Sequence, residues 1–266
     1  MSIRRPLIAR PIAPLLAPLI GGTGLPWESG GGGGVWTPAA LGSKLTLWLD
    51  QRDQIVTGAG VSDWGDQSPA GTSDYTQGTD ANRPPLSSIN GLSAPDFDGS
   101  ADSMSGPNSN ALFGASAFHF FCVIDTTGET LAADNATSYA EASIFGNAGG
   151  GALTLSWSTS GPRATVYAGA AYATAREAGL AVGKRLFEVG WASNVLSMRV
   201  DNLTPITVAT AGTRGFDATT RLGIAYSSSA RVPGRYGTVI VTNAACSATE
   251  VAAVRSYLAA RYGVTA

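Results

Sequence analysis

The chain has 266 residues, a formal net charge of −2 and only 14% charged residues. A chain so close to neutral generates no basic field to draw nucleic acid and no polybasic patch for anionic lipid, which excludes both partner classes. Scarce charge with abundant Gly, Ala, Ser and Thr fits a turn-rich sheet protein better than a helical bundle, and the length suits one large all-β domain or two small ones.

The first element is "RRPLIARPIAPLLAPLIGG". Arg4 and Arg5 ahead of an apolar run have the look of an export signal, but Arg10 interrupts the run and Pro6, Pro11, Pro14 and Pro18 break it. Each interior proline costs a helix roughly 3 kcal/mol, and a transmembrane helix needs about 20 apolar residues, so no membrane span is expected here. Proline also pushes its predecessor toward extended geometry. The segment therefore reads as a polyproline-like arm with Leu7, Ile8, Ile12, Leu15, Leu16, Leu19 and Ile20 as side-chain anchors. Such an arm does not bury these residues against itself and needs a partner surface. Five consecutive glycines, Gly30 to Gly34, follow as a flexible joint. The expected organisation is an anchoring arm over 1–29, a joint over 30–35 and a globular domain over 36–266.

From Trp36 onward the pattern is strands and turns. "KLTLWLD" alternates, with Leu45, Leu47 and Leu49 on one face and Lys44, Thr46 and Trp48 on the other. "ALTLSWS" puts Leu153, Leu155 and Trp157 on one face, and "FEVGWAS" does the same with Phe187, Val189 and Trp191. "LSMRVDN" sets Leu196, Met198 and Val200 against Ser197, Arg199 and Asp201, with a tight turn near Asp201–Asn202, and "TVIVTN" is another short strand. Gly, Asn, Asp and Pro clusters between them read as turns. The last segment, "CSATEVAAVRSYLAARYG", is the one clear helix. Ser247 is its N-cap, with Glu250 three residues on as a capping box, then Val251, Val254 and Leu258 at helical spacing and Gly263 as the stop. Many short strands with one helix predict a sandwich or jelly roll.

The order "LTLWLDQRD", "VSDWGDQS", "RPPLSSINGLSAPDFDGSADSM", paired strands, then "RYGTVIVTNAACSATEVAAVRSYLAARYG" resembles the concanavalin A-like, laminin-G-like jelly-roll domains of bacterial and phage proteins. The resemblance spans roughly residues 36 to 266, and the "FDG" core and the closing Tyr-Gly helix are its most telling pieces. It implies two antiparallel sheets carrying glycan recognition or structural adhesion, on secreted enzymes, adhesins or virion surface proteins. It identifies a fold, not a reaction.

Glycoside hydrolases need two carboxylates flanking the scissile bond, and the retaining relatives of this fold alternate acids along one strand. Here Glu28, Glu129, Glu141, Glu177, Glu188 and Glu250 are isolated from one another. The lone histidine, His119, sits in "FHFFC" with no G-x-S-x-G elbow in the chain, and it reads as a core or edge residue. Cys122 and Cys246 read as two buried free thiols serving as small core residues, with a disulfide between them as the alternative. No catalytic residues are expected, and the chain is expected not to be an enzyme. Lectin-like relatives often hold calcium with loop carboxylates, which makes Asp63 and Asp66 in "SDWGDQS" and Asp96, Asp98 and Asp102 in "PDFDGSAD" its candidate ligands, with turn capping as the plain alternative. Glycan binding uses exposed aromatics. Trp64, Trp48 and Tyr75 are the leading candidates, with Tyr139, Tyr167 and Tyr172 behind them.

Together these readings predict a virion structural protein, a decoration, head spike or tail appendage. Its arm would anchor to other virion subunits, with the protein present as a homo-oligomer. The sandwich would display a surface for host glycans, with avidity from several copies. The alternatives are an exported, cell-surface carbohydrate-binding module and, third, a polysaccharide-degrading enzyme.

Overall fold

The computed structural model describes residues 35–133, 143–147, 153–168, 171–210, 212, 218–224 and 231–266. The expected arm, with Leu7, Ile8, Ile12, Leu15, Leu16, Leu19 and Ile20, and the glycines of the joint lie outside the described residues, as does Tyr139.

The described strands are β1 (Leu45–Thr57), β2 (Gly60–Asp66), β3 (Tyr75–Thr76), β4 (Leu86–Ile89), β5 (Leu92–Phe97), β6 (Met104–Asn108), β7 (Ala117–Asp125) and β8 (Ser143–Asn147). They continue as β9 (Thr154–Ser158), β10 (Gly161–Ala168), β11 (Ala171–Arg176), β12 (Lys184–Ala192), β13 (Val195–Val200), β14 (Ile206–Ala209), β15 (Thr219–Leu222) and β16 (Gly234–Thr242). Two α-helices accompany them, the single turn α1 (Ser109–Leu112) and the closing α2 (Ala248–Tyr262). The hydrogen-bonded order runs β11-β10-β9-β8-β15-β6-β3-β2-β1-β16-β7-β12-β13-β14, all antiparallel, with β5 also pairing β16 and carrying β4. The two ends meet, since β11 packs against β13 and β14. The protein is therefore an antiparallel all-β sandwich with one long C-terminal helix, the fold class that the strand patterns predict.

The order divides into two layers around one core. Along that order β11, β10, β9, β8, β15, β6, β3 and β2 make up a front sheet, and β1, β16, β7, β12, β13 and β14 a back sheet. Between them lie Leu155, Trp157, Phe187, Val189, Trp191, Leu196, Met198 and Val200, on the faces that the alternation assigns to the interior. A second apolar layer lies behind the back sheet, where Phe121, Val123, Leu186 and Ile240 meet Val254, Leu258 and Tyr262 of α2 and Ile89 and Ala94 of the β4–β5 hairpin. Each large side chain buried this way contributes on the order of 1.5–3 kcal/mol.

Helix α2 starts and stops where local chemistry dictates. Ser247 Oγ accepts from the Glu250 N–H, Glu250 returns a carboxylate to the Ser247 N–H at 2.7 Å, and Gly263 takes the left-handed conformation at φ 62° that ends the helix. Lys44 donates to both Glu250 oxygens at 2.8 and 2.9 Å, which ties the helix start to the entry of β1.

One strand departs from its expected alternation. Leu45 lies with Trp48 in the layer behind the back sheet, while Leu47 and Leu49 face the central core. The cause is a register shift between Leu45 and Leu47 against β16. One extra residue in a strand turns every side chain before it to the opposite face. A second irregularity, between Leu49 and Gln54 against β2, carries Asp50 to Asp53 out of the ladder and makes Asp50 a hub.

Candidate functional site

The three leading aromatic candidates are corrected by burial. Trp64 and Tyr75 are fully buried, and Trp48 is only 5% exposed. Trp64 Nε1 donates to the Asp50 carbonyl at 2.8 Å, and the Tyr75 hydroxyl lies 2.7 Å from Thr220 Oγ1. Tyr75 packs so closely on Gly106 that a Cβ there would meet its ring at 2.4 Å. Trp48 packs edge-on to Tyr257 with the Arg52 guanidinium 4.6 Å above its ring. A sugar stacks on a ring face open to solvent, and none of these three presents one. They are packing residues of the two layers.

The carboxylates proposed for calcium are likewise corrected. Both Asp66 oxygens face donors: the Trp48 and Ser68 N–H groups at 3.0 and 2.9 Å, the Ser68 hydroxyl at 2.7 Å and the Ser73 N–H at 3.2 Å. Asp98 caps its own turn, accepting from the N–H groups of Ser100, Ala101 and Asp102. Burial pushes the Asp98 carboxyl up, but these N–H donors and the Ser100 hydroxyl outweigh it and hold it at about 2. Asp102 returns Oδ2 to the Asp98 N–H at 3.0 Å, and burial raises its carboxyl. Burial also raises Asp63, reinforced by Asp74 and Asp53, and Asp96, where Arg235 opposes it. Calcium needs lone pairs converging on one point, whereas Asp66 and Asp98 spend theirs on N–H and O–H groups. Among the described residues no three His, Cys, Asp or Glu side chains gather as a metal centre. These residues do not fit a calcium ion.

His119 has a structural duty. Its Nδ1 accepts the Cys246 N–H at 2.9 Å, and its ring stacks on Phe121 at 5.7 Å with a 14° tilt. Burial pushes its pKa down, so the ring is neutral with its proton on Nε2. Cys122 and Cys246 are both free thiols, and burial pushes both pKa values up.

On the outer face of the front sheet the β10–β11 hairpin carries a mirrored ladder. Arg163 pairs with Arg176, Thr165 with Thr174, and Tyr167 with Tyr172. Alternation decides the facing: Ala164, Val166, Ala173 and Ala175 point into the core, so the Arg, Thr and Tyr residues point outward. The Thr165 and Thr174 hydroxyls lie 3.1 Å apart, and the two tyrosine rings meet edge to face with centroids 4.8 Å apart. Register extends the face onto β9, where Ser156 stands opposite Arg163 and Thr154 opposite Thr165. Its floor is withdrawn from solvent at Ser156, Arg163 and Thr165, while Tyr172 at the margin is 41% exposed. Rings at the edge of a hydroxyl-lined floor suit a polyol that offers C–H faces to the rings and hydroxyls to the floor.

The described strands define the class of the protein as an antiparallel all-β sandwich. No protein-family model matches the sequence, and no curated protein does either. Solved structures do resemble it. The binding domain of Paraclostridial Mosquitocidal Protein 1 superposes with a TM-score of 0.57 at 9% identity, over 81% of this chain and 52% of that one. Trypanosoma rangeli sialidase gives 0.51 at 16% identity, over 84% of this chain and 33% of the sialidase. Domain 4 of an extracellular arabinanase from Geobacillus stearothermophilus, in complex with arabinotriose, gives 0.50 at 12% identity, over 78% of this chain and 96% of that domain. The chain thus spans about a third of the sialidase and about half of the mosquitocidal binding domain's chain. At these identities the likeness is one of fold. It also corrects the expectation that the chain is not an enzyme, because a sandwich shared with part of a sialidase does not separate a binding module from a catalytic one.

Proposed function

We propose that the protein is a carbohydrate-binding module whose ligand face is the outer surface of β9, β10 and β11. The observation that carries this reading is the outward Tyr167–Tyr172 pair at the edge of a threonine and serine floor, on strands whose opposite faces build the core. A rigid sheet holds the rings in place before a ligand arrives, so little ordering entropy is lost on binding. Support comes from the arabinanase domain, which has a similar fold and is described in complex with arabinotriose. The test is affinity electrophoresis of the full chain through gels containing neutral and acidic polysaccharides. Retardation by at least one polymer, relieved by Tyr172→Ala with no change in thermal unfolding, is the expected result. Equal mobility of the native and Tyr172→Ala chains in every gel overturns the proposal. Release of reducing ends from the retained polymer distinguishes binding with cleavage from binding alone.

The concanavalin A-like assignment and the role in a virion rest on the sequence resemblance. The arm over residues 1–29, with its prolines and its Leu and Ile anchors, favours attachment to other subunits and display of several copies on a particle. An exported, cell-surface adhesion module is the alternative. Deleting residues 1–29 should abolish incorporation into the particle while leaving glycan binding intact. Unchanged incorporation removes the anchoring role.

A further inference from the structure

The only histidine of the chain fastens the connection between the back sheet and the closing helix. β16 ends at Thr242 and α2 begins at Ala248, so Asn243 to Ser247 carry the chain from one to the other. Asn243 and Ala245 of this connector are exposed. Hydrogen bonds tie it down. The Asn243 N–H donates to the Lys44 carbonyl at 2.9 Å, the Thr242 hydroxyl to the Ala244 carbonyl at 2.8 Å, and the Cys246 N–H to His119 Nδ1 at 2.9 Å. Of these acceptors only the imidazole nitrogen titrates near neutral pH.

His119 points to the rear of the back sheet, on the same side of β7 as Phe121 and Val123. Its ring stacks on Phe121 and lies over Gly190 of β12, where a Cβ would meet Nε2 at 2.8 Å. The missing side chain at Gly190 thus makes room for the ring. Cys246 directly precedes the N-cap Ser247, so the ring stands at the start of α2, where the helix dipole disfavours a cation. Among the described residues the charged groups around it are already paired. Glu250 of α2 is held by Lys44 ahead of β1, and Glu188 of β12 by Arg255 of α2. β13 sets Ser197 opposite Gly190 and Arg199 opposite Glu188, and the Arg199 Nε donates to the Leu203 carbonyl. β16 contributes the Thr242 hydroxyl, which lies 3.6 Å from the Cys246 thiol. Burial, seconded by Lys44, outweighs the carboxylates of Glu188 and Glu250 and holds the imidazole below its ordinary pKa.

We propose that His119 is a proton-operated latch: neutral, it fastens the connector and the first turn of α2 to β7, and protonated at Nδ1 it releases them. A proton on Nδ1 turns the acceptor into a donor facing the Cys246 N–H, so the bond is lost and two donors oppose each other. Release stops at the first turn, because Val254, Leu258 and Tyr262 stay packed in the apolar layer behind the sheet. The open connector lets the imidazole titrate near its ordinary value of about 6.5, while the closed one holds it lower. As pH falls below about 6.5 the open form gains its proton first. Opening is then favoured by up to about tenfold per pH unit, until the closed form protonates as well. The latch lies on the sheet opposite the glycan face and does not rest on that reading.

The test is amide hydrogen exchange of the full chain between about pH 7.5 and about pH 5, corrected for the intrinsic rate at each pH. The amides to follow are those of Cys246 and of Val251, which donates to the Ser247 carbonyl at 2.9 Å, with Leu258 as internal reference. An NMR titration of the single imidazole runs in parallel. Protection at Cys246 and Val251 should fall by up to about tenfold per pH unit below about 6.5, with Leu258 unchanged and the imidazole titrating below its ordinary value. His119→Asn puts an uncharged acceptor near the place of Nδ1 and should flatten the response. His119→Phe removes the acceptor and should leave Cys246 poorly protected at every pH. Constant protection at Cys246 in the native chain across this range overturns the latch, and so does an equal fall in His119→Asn. The native chain alone decides the matter where a variant does not fold.

Discussion

Arg255 of α2 reaches across to Glu188 of β12 and closes an ion pair at 2.7 Å, beneath the layer where the helix packs on the back sheet. Its guanidinium also donates to the Asp201 carbonyl, at the turn where Asp201 holds a φ of 50°. Glu188 sits outside the central core on its strand, as its alternation predicts, and its partner comes from a helix nearly seventy residues later.

Arg255→Ala should cost about 3 kcal/mol in urea-induced unfolding, since removing one member of a buried pair strands the other. Glu188→Ala should cost a similar amount. A double-mutant cycle should return a coupling energy of about 1–3 kcal/mol, and additive effects would mean that the pair does not act as a unit.

Stability should fall steeply in acid. Burial pushes the Asp50 carboxyl up, but Arg52 and Gln67 outweigh it and lower its pKa. Glu250, facing Lys44 and the Ser247 N–H, is held at about 2, as is Asp98. A carboxyl lowered by folding stabilises above its unfolded value and loses that contribution as pH falls through the folded one, here from about 4.5 down to about 2. Asp63, Asp96 and Asp102 are raised and act in the opposite sense, favouring the folded state as they protonate. Thermal unfolding against pH should therefore fall most steeply below about pH 4, and Asp50→Asn should flatten the slope. A native chain whose melting temperature is unchanged down to pH 2 would contradict this.

Ser247→Ala removes the N-cap of α2 and should cost about 1 kcal/mol. Glu250→Ala should cost more, since it also frees Lys44. Circular dichroism melts would rank the two, and the reverse order would mean that the Lys44 tie is idle.

Trp64→Ala and Tyr172→Ala should behave as opposites. The first empties a fully buried site and should cost about 3–5 kcal/mol of stability. The second removes a ring that is 41% exposed and should leave stability within about 0.5 kcal/mol while reducing glycan affinity about tenfold. Gly106→Ala should destabilise by about 1–3 kcal/mol, because its methyl group would enter the Tyr75 ring. Binding curves and denaturant midpoints for all three separate packing from recognition.

The candidate face was partly legible. Tyr167 and Tyr172 stood among the aromatic candidates, but Trp64, flanked by Asp63 and Asp66, looked stronger. The better signal was the near-mirror in "RATVYAGAAYATAR", where Arg, Thr and Tyr recur in reverse order at a spacing of two. A hairpin folds such a mirror onto itself and stacks like on like.

What the sequence determined alone was everything with a short period or a local partner. Alternation at two residues assigned the inward faces of β9, β12 and β13, and Ser247, Glu250 and Gly263 set the bounds of α2, because those interactions close within a few residues. Only the tertiary structure decided which rings and charges meet solvent. A strand has two faces that read alike in polarity when both are covered. Trp48, Trp64 and Tyr75 were lost to packing by the second layer and the bulges in β1, and Tyr172 was left at an open margin by the sheet order, all through contacts made far along the chain.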